Sequence, residues 1–172
     1  MMVCISKLVN LKNQGSKDGK NAWKVRKEAM EEVESGLQRC GGFVSTDPAA
    51  LKSLLDLARA LRERLNDSQM NLKPVAAKII ATLLISVDED SQVKLGRIFY
   101  TTLINAAIND NKKVMRDAAL EALQAGTTKS EIDGGGVNAT SLEVFLQSLT
   151  AELNDSEYKV KCLQDFFTGI YY

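Results

Sequence analysis

Histidine is absent from the 172-residue chain, which removes the commonest general base near neutral pH and the commonest transition-metal ligand. Three cysteines, Cys4, Cys40 and Cys162, stand far apart with no CxxC spacing. That pattern predicts neither a zinc site nor a disulfide framework, and free thiols fit a reducing, cytosolic compartment. Long apolar runs are missing as well. Nothing approaches the ~20 residues of a membrane span, and "MMVCI" is too short for a signal-peptide core. Charge of one sign is not in excess: 22 Lys and Arg balance 22 Asp and Glu, so no global field draws the chain to nucleic acid or to a membrane. "GGG" at 134–136 has no Gly-Lys-Ser/Thr after it and does not read as a phosphate loop. "DED" at 88–90 lacks the later glycine and glutamate of a calcium loop and reads as acids at a helix start. Paired carboxylates such as Glu31 and Glu32 fall on a helix surface, without the enclosure a general acid needs. The expectation is no enzyme centre, no cofactor and no metal site.

What is present is helical. The two prolines suit helix starts: Pro48 follows Asp47, a good N-cap, and Pro74 falls within the first turn of another helical pattern. Apolar residues recur at helical spacing, as in Leu51, Leu54, Leu55, Ala58, Leu61 and Leu65, then Val75, Ile79 and Leu83, then Leu142, Phe145, Leu146, Leu149 and Leu153. No stretch keeps the period-2 alternation of a strand. Thr140 and Glu143 stand in capping-box spacing, which predicts a helix start after the glycine-rich stretch.

The chain also repeats. "LRERLNDSQMNLKPVA", "INAAINDNKKVMRDAA" and "LTAELNDSEYKVKCLQ" each run from an apolar helix through Asn-Asp and a few polar residues to an apolar-basic pair and a second helix. The pairs are Leu72-Lys73, Met115-Arg116 and Val160-Lys161, and Val25-Arg26 near the start makes a fourth. They recur every 43 to 47 residues, the period of HEAT and armadillo repeats. The predicted fold is all-α: a right-handed α-solenoid of about four helical hairpins, near 3–40, 48–87, 91–125 and 140–168, forming one domain over 1–172. Stacking would bring the loops "SKDGKNAW", "NDSQMN", "NDNKK" and "NDSEYK" onto one edge, roughly 10 Å apart. "SEIDGGGVN" interrupts the series and reads as a candidate break before the fourth hairpin.

The loop edge carries the candidate binding residues. Helix 22–40 has Ala22, Val25, Ala29, Val33, Leu37 and Cys40 on one stripe, and Trp23, the only tryptophan, falls off that stripe at the helix start. Two readings of Trp23 stand side by side: an exposed interface anchor, or an indole folded onto the first helix that seals the end of the stack. Lys17, Lys20, Lys24, Lys73, Lys112, Lys113, Lys159 and Lys161 lie in or just after the loops, a basic ridge suited to an acidic partner. Arg26 and Arg116, in the repeated pairs, are expected to bond a neighbouring loop aspartate, such as Asp67 or Asp110, with Asp155 in the equivalent place of the fourth loop.

"AWKVRKEAMEEV", "ALRERLNDSQMNLKPVAAKII" and "INDNKKVMRDAALEAL" resemble a TOG domain, the tubulin-binding HEAT array of the microtubule polymerase family named after colonic and hepatic tumour overexpressed protein. The likeness covers about 20–125, with the fourth hairpin looser. It implies a non-enzymatic partner of αβ-tubulin and microtubules, in the cytoplasm at the cytoskeleton, spindle or centrosome, acting beside other TOG domains of one parent chain. The implied tubulin contacts are Trp23 and Lys24, then Ser68 and Met70, then Lys112 and Lys113, then Lys159 and Lys161. A full TOG domain has six hairpins and four are counted here, so the chain reads as a fragment of a longer protein. "FFTGIYY" at the end fits either a cap on the stack or the cut edge of a longer array. The alternative function is a HEAT-type scaffold or spacer that binds proteins other than tubulin.

Overall fold

The computed structural model describes residues 22–40, 44–129 and 134–154, and among these the regular structure is helical. Six helices follow in order: α1 (Ala22–Arg39), α2 (Pro48–Leu65), α3 (Leu72–Ile85), α4 (Glu89–Asn109), α5 (Lys113–Thr127) and α6 (Ala139–Asn154). The expected helices near 3–12 and 157–168 lie outside the described residues.

Local chemistry sets the helix starts. Asp47 accepts hydrogen bonds from the Ala49 and Ala50 amides at 3.0 and 2.9 Å, with Pro48 as the first helical residue of α2. Asp88 does the same for α4, taking the Ser91 amide at 2.8 Å, with Glu89 and Asp90 in the first turn. The start of α6 differs from the capping box expected at Thr140. Asn138 takes the Ser141 amide at 3.1 Å, so the helix begins at Ala139 and Thr140 is an exposed first-turn residue. Asn138 wins because it is buried and fixed by other bonds, whereas Thr140 faces water.

Each helix packs on the helix two places away, and from α2 onward each also packs on its sequence neighbour. The hairpins α2/α3 and α4/α5 are joined by short loops; α1 lies on α3, α3 on α5, α2 on α4, and α4 on α6. Helix α3 is central. Its sequence LKPVAAKIIATLLI is apolar nearly all round, which marks a helix enclosed on most sides. Leu72, Ala76, Ala77, Ile79, Ile80, Leu83 and Leu84 are buried there. Leu54, Leu61 and Leu65 from α2 and Leu95, Phe99, Leu103 and Ile104 from α4 join the same core.

The glycine-rich stretch is tied at both ends of its described part. Thr128 and Val137 form an isolated antiparallel bridge, and the Lys129 amide donates to the Gly136 carbonyl at 2.8 Å. Gly134, Gly135 and Gly136 have φ of 85°, 66° and 92°, a left-handed run that side chains resist. Residues 130–133 of the expected break lie outside the described residues; on either side of them the chain is joined, and α6 beyond packs on both α4 and α5.

Candidate protein-binding edge

The start of α1, the α2–α3 loop and the α4–α5 loop meet along one edge, because charged side chains bridge them. Arg26 Nε and Nη2 donate to the Asp67 carboxylate at 2.8 and 3.0 Å, a bidentate fork across two hairpins. Arg64 Nη1 donates to the same carboxylate at 2.9 Å, and the Gln69 amide at 2.9 Å. Burial alone would push the Asp67 carboxyl up. The Gln69 amide and the Arg26 and Arg64 guanidiniums outweigh it and hold the group below its ordinary value. One loop further, Lys73 Nζ lies 3.7 Å from the Asp110 carboxylate. Asp110 also accepts the Lys112 amide at 2.9 Å, which closes the short α4–α5 turn.

Arg116 takes another route. Its Nη1 donates to the Asp110 backbone carbonyl at 2.8 Å, inside its own hairpin. The basic residue that reaches a neighbouring loop aspartate there is Lys73, one repeat after Arg26 and at the same place in its pair. Repeat position held that signal; the reading that placed Lys73 on an outward ridge missed it. Arg64 was missed too, although three residues before Asp67 is one helical turn.

Above these pins sits an exposed apolar series. Trp23 is 36% exposed, Met70 44% and Val114 65%. Val25, expected on the buried stripe of α1, is 44% exposed. The buried residues of α1 are Ala29, Met30, Val33 and Leu37. The stripe runs through Met30 toward Arg26, whose head must face Asp67, and that rotation turns Val25 outward. Trp23 and Val25 therefore flank the stripe on opposite sides. Lys24 Nζ stands 5.9 Å from the Trp23 ring centroid, within cation–π reach. Ser68, Lys112 and Lys113 are exposed; Lys113 pairs with Asp117 at 2.6 Å on the surface of α5. Lys17, Lys20, Lys159, Lys161 and Asp155 lie outside the described residues.

The edge thus turns cations and apolar side chains outward, while Asp67, Asp110 and Asp117 each face a cation of the chain. Beside it, an open hollow of about 320 Å³ is walled by Asn66, Thr101, Asn105 and Asn109 together with the paired Lys73 and Asp110. Among the described residues no group of three or more His, Cys, Asp or Glu could hold a metal ion, and no helix is long and apolar enough to cross a membrane. Comparisons with known protein families, with curated proteins and with solved structures find no match.

Proposed function

We propose that the chain is a non-catalytic, TOG-type tubulin-binding module, a right-handed α-solenoid of about four hairpins that holds αβ-tubulin along its loop edge. One observation carries this reading: Trp23 and Met70 stand exposed on the same edge as Lys24 and Lys112, while its described aspartates are turned to cations of the chain. Such an edge suits an acidic protein surface with apolar sockets. The indole would be the anchor, since buried aromatic anchors carry a disproportionate share of interface energy, and the lysines would steer encounter. The alternation of packing, α1 on α3 on α5 and α2 on α4 on α6, supports the solenoid. In this role the protein acts in the cytoplasm on microtubules, and any nucleotide chemistry belongs to tubulin.

A second reading has its own support. Lys73 and Lys113 are engaged within the chain, as in a HEAT scaffold or spacer whose loop edge serves internal pinning. The two readings separate when the chain is mixed with unpolymerised αβ-tubulin at low salt and the eluted mass is measured by light scattering. A one-to-one complex that weakens as salt rises supports the tubulin reading. Separate elution of a folded chain supports the spacer.

A further inference from the structure

At the opposite edge, where α3 ends and α4 begins, four buried side chains join four helices, α3 to α6, without a formal charge. Gln92, in the first turn of α4, places Nε2 within reach of the carbonyls of Leu84 at 3.1 Å, Ala125 at 3.0 Å and Thr128 at 2.8 Å, so that its two N–H groups serve three acceptors, two of them sharing one hydrogen. These are the last-turn or terminal carbonyls of α3 and α5, the groups a helix leaves without partners. Asn138 Nδ2 donates to Gln92 Oε1 at 2.6 Å and to the Glu89 carbonyl at 3.3 Å, while its own Oδ1 caps α6. Its backbone amide donates to the Thr127 carbonyl at 2.9 Å.

Two turns along α4, Tyr100 is fully buried between two glycines. A methyl group at Gly96 would come within 2.6 Å of the Tyr100 ring, and one at Gly126 within 2.8 Å. The phenol donates to the Gly126 carbonyl at 2.6 Å, and the Ser141 hydroxyl also reaches that carbonyl at 2.6 Å. The two hydroxyls also lie against each other, so that one hydrogen serves the carbonyl and the other the neighbouring hydroxyl, with either able to donate across the pair. Phe145 of α6 meets the Tyr100 ring edge-on at a centroid distance of 5.7 Å.

An apolar contact tolerates sliding; a hydrogen bond does not, and a buried polar group left unmatched is costly. Gln92 and Asn138 can be satisfied together only when α6 stands at one height and one rotation against α4 and α5. We propose that the Gln92–Asn138 and Tyr100–Ser141 pairs form a register lock that places α6, so that its position depends on these four side chains and not on the length of the glycine-rich link. The described glycines of the link touch no other part of the chain, since a side chain at Gly134, Gly135 or Gly136 would meet nothing within 4 Å. The lock thereby fixes where α6 ends, at Asn154. This is independent of whether the loop edge binds tubulin.

The test is amide hydrogen exchange on the whole chain, read separately over α2 and α6. Asn138→Ala should speed exchange in α6 by about tenfold, with α2 unchanged. A variant with two glycines inserted after Gly135 should exchange like the parent in both helices. Should Asn138→Ala unfold the whole chain, Tyr100→Phe carries the test. It keeps the ring packing, removes one hydroxyl, and should speed α6 alone by a few-fold. The lock is overturned if α6 exchange is unmoved by the side-chain variants, if α2 and α6 quicken equally in Tyr100→Phe, or if the longer link loosens α6 as Asn138→Ala does.

Discussion

The two edges of the helix stack are pinned by opposite chemistry. At the loop edge the joints are ionic: Arg26 and Arg64 on Asp67, Lys73 on Asp110. At the link edge the buried joints are neutral: Gln92 on Asn138, Tyr100 on Ser141, and the Val44 amide on the Ser86 carbonyl at 2.7 Å; the ion pair there, Lys129 with Glu89 at 2.8 Å, stays at the water-exposed surface. The difference follows from access to water. The loop-edge guanidiniums and ammoniums keep part of their surface exposed, so they need not shed their hydration to bind a carboxylate. Gln92, Asn138, Tyr100 and Ser141 have almost no exposure, where an unpaired charge would be prohibitive and neutral hydrogen bonds are affordable. A solvent-facing edge can keep its charges; an enclosed joint cannot.

The largest break in that comparison is Asp67→Ala. It strips the carboxylate from between two guanidiniums and should destabilise the chain by about 3 kcal/mol, the low end for a broken buried pair because the arginines reach water. Urea denaturation measures it, and a shift below about 1 kcal/mol would mean the ionic joint is ornamental. Next is Gly126→Ala, whose new methyl would press on the Tyr100 ring. Overpacking of this kind costs about 1–3 kcal/mol, and the loss should appear in α6 exchange with the loop edge untouched.

The pH scale sharpens the contrast, because the two joints should fail at opposite ends. The Asp67 carboxyl is held below its ordinary value of 3.8. Its stabilisation is therefore complete above that value and lost as pH falls through the depressed folded value. Asp47, held down first by the Ala50 amide and by Ser45, and Asp88 are lowered too. At Asp88, burial pushes upward but the Thr46 and Ser91 bonds prevail. These caps weaken in the same acid range, and Asp67→Asn isolates the share of the loop edge. Burial pushes the Tyr100 phenol up from 10.0 to about 12. The neutral phenol thus stabilises the fold fully below pH 10.0, and that contribution fades as pH rises toward 12. Trp23 emission should report the acid transition, and phenolate absorbance the alkaline one. The smallest effect belongs to Lys113→Ala, which breaks only the exposed pair with Asp117 and should move stability by less than about 0.5 kcal/mol.

Much of the loop edge was legible in the sequence, because it is repetitive and local. Asp47-Pro48 announced α2, and the recurring Asn-Asp and apolar-basic pairs put Asp67, Asp110, Arg26 and Lys73 in comparable places. The exact pairing was not legible, since whether a cation turns inward or outward depends on helix rotation, as Val25 demonstrates. The link edge left almost no trace. Gln92 and Asn138 stand 46 residues apart; "DED" and Thr140–Glu143 beside them announced helix starts without pairing the two, and a lone polar residue at a helix start reads as surface. Only the packing of four helices at one point makes it core.

The most direct test of the binding account sets the two edges against each other on αβ-tubulin. Trp23→Ala removes the exposed indole of the loop edge, and Val137→Ser removes an exposed apolar residue of the link edge. Light-scattering mass of the mixtures, on variants shown to be folded, should reveal a one-to-one complex for the parent and for Val137→Ser. Trp23→Ala should lose it, with affinity down by about thirtyfold or more. A complex that survives Trp23→Ala unchanged, or fails in Val137→Ser alone, would contradict the loop edge as the binding surface.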